Sequence, residues 1–321
     1  MNEAGDVLVV GSGLVGASIA LGLSQRGVGV WLEDSDPEAV RVAVSRGAGR
    51  PGPPDSDPSL VVVAVPPPVA ASVVIASMRR FLNATVTDVT STKAELQREV
   101  ESALHDVSRF VPGHPLAGRE VSGAAAARAD LFSDRVWALT PGTATDPVRT
   151  AAVAAMAESL GAVVVQTSAE EHDRAVALTS HTPQVVASLL AAGLETLGET
   201  QVRLSGQGLR DMTRLAGSDP DLWTGILTSN AAPVADALDG LIGRLAVVRD
   251  GLRTGAGGRA AVREALEAGV SGAGKVPGKH GTPAVAYAVV PVAIADRPGE
   301  LGRLFAAAAS TGVNLEDVRI V

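Results

Sequence analysis

Short apolar runs alternate along the first 140 residues with stretches whose apolar positions follow helical spacing. The run DVLVV (6–10) leads into a glycine turn and a helical pattern that ends at Gly27, and a second run, VGVWLED (28–34), follows. Continuous apolar runs of this length are typical of strands buried on both faces of a parallel sheet. The order predicts a strand, a helix and a second, parallel strand.

The same alternation continues, and it predicts four more strands. They are LVVVAVPPP (60–68), TVTDVTS (85–91), RFVPGHPLAG (109–118) and RVWALTPG (135–142). Repeated strand–helix units favour a Rossmann-like, doubly wound parallel sheet in an α/β protein. Ligands of such sheets bind beyond the carboxyl ends of the strands.

The pattern changes near residue 150. After a short strand, VVVQT, long helical stretches extend from 169 to about 254. A Gly-, Lys- and Pro-rich segment then predicts a linker that contains a short helix. The tail reads as strand, turn, helix and strand. We therefore expect a nucleotide-binding domain (1–150), an all-helical domain (151–254), a linker (255–283) and a small α+β tail (284–321), with a ligand cleft between the first two domains.

Composition narrows the class of protein. The chain of 321 residues is 46% hydrophobic but only 2% aromatic, and it has no cysteine, which excludes disulfides and thiolate metal sites. The net charge of −8 and the lack of a basic run argue against nucleic-acid binding. Without a signal-peptide pattern, or an apolar stretch of about 18 residues, we expect a cytoplasmic protein with no membrane segment.

The glycine turn has the GxGxxG spacing of a dinucleotide-binding loop. Gly11 permits the tight turn, Gly13 allows the backbone to approach a pyrophosphate, and Gly16 allows close helix–strand packing. The following helix offers free N–H groups to the phosphates. We assign the intervening Leu14 and Val15 to the same cofactor site. The alternative is a glycine turn that serves packing alone.

An acidic pair ends the second predicted strand. Asp34 is the first choice for the ribose hydroxyl contact and Glu33 the second. An acid at this place repels a 2′-phosphate, so we expect NAD rather than NADP.

Polar residues that follow two predicted strands are candidates for catalysis. His114 comes in GHPLAG, and histidine is the usual acid or base near neutral pH, although a lone histidine is as often structural. Ser91 could bond a substrate hydroxyl or orient the histidine. Lys93 could meet a carboxylate, but an ordinary lysine in a first helical turn is the more frequent case.

The helical half adds two histidines and an arginine group. His172 and His181 are nine residues apart, which places them on nearly opposite faces of a regular helix, so they are not a metal pair. His181 lies beside Pro183, where a kink would direct it to the cleft, whereas we expect His172 on the solvent side or at a domain contact. Arg214 could grip a carboxylate, or could form a surface pair with Asp211.

Taken together, these segments resemble the prephenate and arogenate dehydrogenases. The motifs that carry the resemblance are VVGSGLVGASIALGL, DVTSTK, GHPLAGREVSG, LFSDRVWALTP, EEHDRAVALTSHTPQ and GLRDMTRLAGSDPDLW, in the family's order over about residues 7–225. The resemblance implies a Rossmann-like domain, a helical domain that forms a homodimer interface, and NAD-dependent oxidative decarboxylation of prephenate on the route to tyrosine.

The resemblance also implies residue roles. His114 matches the catalytic histidine that takes the proton of the ring 4-hydroxyl, Ser91 the serine that bonds that hydroxyl and the histidine, and Arg214 the arginine that holds the side-chain carboxylate. His181, Glu120 and Trp223 match further residues of the substrate site, although Trp223 could also simply fill the core. Some members have a histidine where this chain has Gln184, which affects contacts at the same end of the substrate.

The tail, from VVPVAIADRPGELG onward, resembles the first half of an ACT domain, a module that binds amino acids. The resemblance implies tyrosine as a possible effector, with the remaining half of the module missing or supplied by a partner.

Three other interpretations stay open. Arogenate, which has an amino group where prephenate has a keto group, is the alternative substrate, and Glu120 and Gln184 are candidates for sensing the difference. Hydroxyacid dehydrogenases of similar plan use a lysine of the helical domain, and residues 169–225 contain no lysine. A non-catalytic sensor would bind NAD without turnover.

Overall fold

The computed structural model describes residues 5–118, 123–276, 290–313, 315 and 318. Six parallel strands form the main sheet in the order β3-β2-β1-β4-β5-β6. Their bounds are β1 (Val7–Val10), β2 (Val30–Glu33), β3 (Arg50–Pro51), β4 (Leu60–Val63), β5 (Thr85–Asp88) and β6 (Phe110–Val111). This confirms the predicted doubly wound sheet.

Helices cover both faces of this sheet. They are α1 (Leu14–Gln25), α2 (Pro37–Ser45), α3 (Pro67–Arg80) and α4 (Ala94–Ala103). Because side chains alternate along a strand, Val62 packs into the cluster that contains Ile19 of α1, whereas Val61 and Val63 pack into the cluster that contains Met78 of α3. The continuous valine runs therefore follow from a sheet buried on both faces.

A second sheet departs from the prediction. The expected strand at 109–118 is divided into β6 and β7 (Gly113–Pro115), and β7 pairs antiparallel with β8 (Val136–Leu139), which pairs in parallel with β9 (Val163–Gln166). Pro112 lies at the division, where its missing N–H cannot continue a strand ladder. The expectation that 135–142 joins the main sheet is therefore wrong.

The predicted helical domain is helical apart from β9 and the turns between its helices, and further helices follow it. The helices of the second half are α5 (Pro147–Ser159), α6 (Ala169–Val176), α7 (Thr182–Ala192), α8 (Glu199–Val202), α9 (Gln207–Thr213), α10 (Pro220–Ser229), α11 (Ala231–Arg253), α12 (Arg259–Ala273) and α13 (Glu300–Ser310).

A π-helical turn, Ala177–His181, joins α6 to α7. Pro183 lacks the N–H that would continue the α-helical ladder, so the wider turn lies where the sequence predicts a kink. The Thr182 hydroxyl supports the turn by donating to the Ala177 carbonyl at 2.7 Å.

The predicted linker (255–283) and tail (284–321) agree with the structure only in part. The segment predicted as a linker contains α12, whose 15 residues pack against α11. In the tail, α13 is present, but the described residues 290–295, 313, 315 and 318 of the two expected strands are not in strands. The domain boundaries and the ACT-like tail remain predictions.

One helical run, Ala169–Thr196, is long and apolar enough to cross a membrane, judged by its length and composition alone. The expectation that no apolar stretch reaches this length is therefore wrong. The run contains buried polar side chains at His172, Asp173 and His181, as expected of a helix packed within a protein domain. The cytoplasmic location remains a prediction.

Candidate active site

A cavity of about 1970 Å³ opens along the carboxyl ends of β1, β2 and β4 and extends to the helical half. It brings together residues that the sequence predicts for two different roles. At the nucleotide end lie Gly11, Gly13, Leu14, Val15 and Asp34, and at the other end lie Ser91, His114, His181, Gln184, Arg214 and Trp223. Glu120 lies outside the described residues.

Two of the three glycines are required by packing. Gly11 has a φ of 103°, and a side chain there would meet the Ala64 carbonyl. A side chain at Gly16 would meet the Gly11 carbonyl and Ala64. Both glycines therefore permit the close approach of α1 to β1 and β4.

Gly13 differs from these two, because a Cβ at this position would meet no atom within 4 Å. It would point into the open nucleotide end of the cavity. Beside it, the Ser12 hydroxyl is buried and has no hydrogen-bond partner in the described part of the chain. The open space beside Gly13 and this hydroxyl at the start of a helix fit a bound pyrophosphate.

Asp34 is held at the end of β2 by backbone donors. Its carboxylate accepts from Ser12 N at 2.5 Å and from Asp36 N at 2.9 Å. The Glu33 carboxylate instead accepts from Arg80 at 3.0 and 3.1 Å. Asp34, our first choice, is thus fixed against the glycine loop, while Glu33 is engaged by an arginine.

His114 lies on β7 and lines the far end of the cavity. Burial holds the pKa of its imidazole well below the usual value, and the neighbouring His172, Lys93 and His181 add to the decrease. A neutral imidazole can accept a proton, as a general base requires.

Lys93 is fully buried, so the interpretation as an ordinary first-turn lysine is wrong. Its ammonium forms an ion pair with Asp88 and donates to the Gly113 carbonyl at 2.6 Å and to the Thr90 hydroxyl at 3.1 Å. Burial lowers the pKa of Lys93, and Asp88 opposes this effect. The pair fixes the backbone next to His114.

His172 is buried and contacts the nucleotide-binding half, so of the two places expected for it the solvent side is wrong. Its Nε2 lies 2.9 Å from His114 Nδ1, and its Nδ1 lies 2.8 Å from Asp173 Oδ1. The wider π turn rotates each residue less than an α turn does, so the opposite-face estimate fails and His172 and His181 are both buried.

His181 and Trp223 form a second wall. The two rings meet edge to face with centroids 6.2 Å apart. The Asn230 amide nitrogen donates to the Asp173 carbonyl at 2.9 Å and lies 3.1 Å from His181 Nδ1. Because that amide nitrogen is a donor, Nδ1 accepts and the ring proton is on Nε2. Burial lowers the pKa of His181 to about 4, so the ring is a neutral donor.

The other predicted residues line the same end of the cavity with fewer fixed contacts. No hydrogen bond joins Ser91 to His114 among the described residues. Gln184 Nε2 donates to the Leu215 carbonyl at 2.9 Å. Arg214 begins the 3-10 turn after α9, with its side chain exposed at the cavity. Arg214 supplies a cation, and His114 and His181 supply two hydrogen-bonding rings, at the same end of the cavity. Such a set can bind a small substrate that carries a carboxylate.

Sequence reasoning did not find Asp173, Asn230 and the role of Lys93. A signal was present for Asp173, because a carboxylate in an Ala- and Val-rich helix must find partners. Asn230, which lies between α10 and α11, gave no such signal.

Two domains of one known protein family match this chain. Residues 19–166 match the nucleotide-binding domain of prephenate dehydrogenase, and residues 168–261 match the dimerization domain of the same enzyme. The chain belongs to the prephenate dehydrogenase family. Members of this family are NAD-dependent oxidoreductases.

Among relatives in this family, a probable prephenate dehydrogenase from Streptomyces niveus is 37% identical over 98% of this chain and 89% of its own length. The crystal structure of prephenate dehydrogenase from A. aeolicus, in complex with hydroxyphenyl propionate and NAD+, matches with a TM-score of 0.76 and 29% identity, covering 84% of this chain and 97% of that chain. Synechocystis arogenate dehydrogenase matches with a TM-score of 0.71 and 25% identity over 84% and 100%.

Proposed function

We propose that this protein oxidises and decarboxylates prephenate to 4-hydroxyphenylpyruvate with NAD as the oxidant, in the biosynthesis of tyrosine. One observation carries the proposal: the neutral His114 lies in the same cavity as the glycine loop and Asp34. A general base and a dinucleotide cradle in one cavity are what a dehydrogenation of an alcohol needs.

NAD fits the nucleotide end of the cavity. Gly13 would let the backbone, with Leu14 and Val15, approach the pyrophosphate, while Gly11 and Gly16 allow the close packing of the loop. The Asp34 carboxylate would accept from a ribose hydroxyl. Bound NAD would supply the oxidant, a nicotinamide able to take a hydride from carbon 4 of the substrate ring. His114 takes the proton of the hydroxyl on that carbon, and Ser91, at the same end of the cavity, bonds the hydroxyl oxygen.

Carbon dioxide then leaves from the ring carboxylate. The electron pair of the broken bond makes the ring aromatic, and the new phenolate takes back the proton from His114. The hydride thus ends on the nicotinamide, the proton on the phenol oxygen, and the ring carboxylate leaves as carbon dioxide. Aromatisation of the ring makes the reaction irreversible.

Substrate recognition falls to the helical half. Arg214 is a partner for the side-chain carboxylate, since a guanidinium binds a carboxylate with two parallel hydrogen bonds. His181 supplies an N–H donor, and Trp223 an apolar wall beside it. Gln184 and Glu120 are our candidates for the keto end of the side chain.

Arogenate is the second candidate substrate. The likeness to Synechocystis arogenate dehydrogenase supports it, and Gln184 is a candidate for sensing the difference between the two substrates. The two substrates differ only in the keto or amino group of the side chain.

A homodimer is the assembly we expect. The match to a dimerization domain supports it, and so does a stripe of exposed apolar side chains on α11, formed by Ile242, Leu245 and Leu252. Contiguous exposed apolar surface on a folded domain commonly marks an interface.

Tyrosine is the effector we expect if the tail is an ACT-like module. Added tyrosine should then slow turnover of the full chain. Unchanged rates up to millimolar tyrosine would contradict this part of the proposal.

The test is the formation of reduced NAD by purified protein offered prephenate and arogenate separately, with a His114→Asn variant alongside. We expect turnover with prephenate that falls by at least about a hundredfold in the variant, because a general base contributes about 10²–10⁴-fold. NAD binding should be unchanged in the variant. Binding of NAD without turnover of either substrate would favour the sensor interpretation.

A further inference from the structure

A hydrogen-bonded series from the helical half ends on His114. Asp173 accepts from His172 Nδ1 at 2.8 Å, and His172 Nε2 lies 2.9 Å from His114 Nδ1. The two imidazole rings meet nearly edge to face, with centroids 5.1 Å apart. His172 and Asp173 are each only 3% exposed, so water does not compete for these contacts.

The direction of this series follows from Asp173. Besides His172, its carboxylate accepts from the backbone N–H groups of Lys93 at 2.9 Å and Ala94 at 2.8 Å, at the start of α4. Burial works to raise the pKa of Asp173, but the hydrogen bonds from His172, Ala94 and Lys93 outweigh it and the pKa is lowered. The carboxylate is therefore ionised and can only accept, so Nδ1 of His172 carries a proton.

A neutral His172 then has a bare Nε2, and the proton between the two rings must come from His114 Nδ1. This leaves Nε2 of His114 without a proton. A cationic His172 would give the opposite arrangement, in which it donates to His114 Nδ1 and the neutral His114 ring keeps its proton on Nε2. The charged and titratable groups that face the two rings are Asp173, His181 and Lys93, and Lys93 is itself paired with Asp88.

We propose that His172 and Asp173 are positioning residues that hold His114 in the tautomer whose Nε2 is bare and able to take a proton. The proposal rests on the proposed function, in which His114 accepts the hydroxyl proton. The same series stabilises His114 once it is protonated, because Nδ1 continues to donate toward His172 and the negative Asp173.

The placement of Asp173 makes this arrangement rigid. Lys93 N-caps α4 without a cap from its own side chain, and the carboxylate of Asp173 takes that place from the other half of the molecule. A carboxylate at a helix N-terminus is stabilised by the helix dipole and the free N–H groups. The contact that orients His172 therefore also joins the two halves.

The tautomer can be read directly by NMR. The chain has five histidines, so protein labelled with nitrogen-15 in histidine gives few ring signals, which single substitutions assign. At neutral pH we expect His114 to show a protonated Nδ1 and a bare Nε2. A His114 ring protonated on Nε2 would overturn the proposal.

Two substitutions at His172 separate positioning from mere packing. His172→Leu removes the acceptor, and we expect the His114 ring to lose its single tautomer and kcat to fall by about 10- to 100-fold with little change in KM, since a positioned base contributes about 10²–10⁴-fold. His172→Gln keeps an acceptor at the place of Nε2 and should restore the tautomer and most of kcat. The matched control is His105→Leu at an exposed histidine, which should change neither.

The two proposals fail in different ways. If the wild type does not turn over prephenate but the tautomer is as expected, the proposed function fails and the positioning role stands. If prephenate is turned over and His172→Leu leaves kcat and the His114 signals unchanged, the positioning role fails alone. NAD binding by each variant verifies that it is folded.

Discussion

At the buried Lys93, desolvation and charge act in opposite directions. Burial disfavours the ammonium, and the carboxylate of Asp88 beside it offsets that cost. The sequence alone does not reveal this, because a lysine near a helix start is usually exposed. The position of Ser91 and His114 at the cavity, in contrast, was predictable, because both residues follow strand ends, where the ligands of a parallel sheet bind.

Removal of the Asp88 charge should expose the cost of burying Lys93. We predict that Asp88→Asn lowers the free energy of unfolding by about 3–5 kcal/mol, as is usual when one partner of a buried pair is removed. Urea unfolding would measure this. The control is Glu38→Gln, which breaks the exposed ion pair with Arg41 and should cause no measurable change. Equal effects of the two substitutions would show that the Lys93 pair is not a buried one.

His181 should make stability depend on pH. Its folded-state pKa is about 4 and its ordinary value 6.5, so between these values the unfolded chain binds a proton that the folded chain does not. Stability from this residue is therefore complete above about pH 6.5 and decreases as the pH falls toward 4. The total is of the order of 3 kcal/mol at 1.36 kcal/mol per pKa unit.

Urea unfolding at pH 7 and at pH 5 tests this prediction. The loss of stability between the two should be smaller in His181→Gln than in the wild type, whereas His105→Gln, at an exposed histidine, should behave as the wild type does. A His181→Gln variant with the full wild-type loss would rule out the neutral, buried imidazole at 181.

Among the elements, the glycine loop was predictable in detail and the helical run 169–196 was not. A GxGxxG between a strand and a helix fixes its own geometry through the need for close packing. The run 169–196 contains a π turn, which shifts the phase of every later residue. Periodicity assumes a constant rotation per residue, so it placed His172 and His181 on nearly opposite faces, whereas both side chains are buried.

The loop itself offers a prediction in which two glycines behave differently. Gly13→Val should leave the melting temperature nearly unchanged, because a Cβ there would meet no atom within 4 Å, but it should abolish NAD binding by filling the space for the pyrophosphate. Gly16→Val should lower the melting temperature, because its side chain would clash with the Gly11 carbonyl. Scanning calorimetry would measure the melting temperature of each variant, and titration calorimetry would measure its NAD binding. Normal NAD binding by Gly13→Val would contradict the placement of the pyrophosphate.

For the whole molecule, the two-part plan followed from the change of periodicity near residue 150, but the second sheet did not. Strand β9 lies beyond that change and pairs with β8, because pairing across α5 depends on tertiary packing that local pattern does not encode. The match to the nucleotide-binding domain of the family likewise extends to residue 166 and so includes β9. The contacts of Asp173 with the start of α4 were equally hidden, since 79 and 80 residues separate the partners.

Assembly belongs to this scale as well. We predict that Leu245→Glu, which places a charge in the apolar stripe of α11, shifts the protein from dimer to monomer in light scattering after size-exclusion chromatography. Glu264→Gln, an exposed polar change on α12, should leave the dimer intact. A Leu245→Glu protein of unchanged mass would remove α11 from the interface.

The central claim is that one site couples oxidation to decarboxylation. The most direct measurement supplies prephenate labelled in its ring carboxylate and follows reduced NAD and labelled carbon dioxide in the same reaction. We predict equal amounts of the two, with 4-hydroxyphenylpyruvate as the remaining product. Reduced NAD without carbon dioxide, or the release of carbon dioxide without reduced NAD, would contradict the claim.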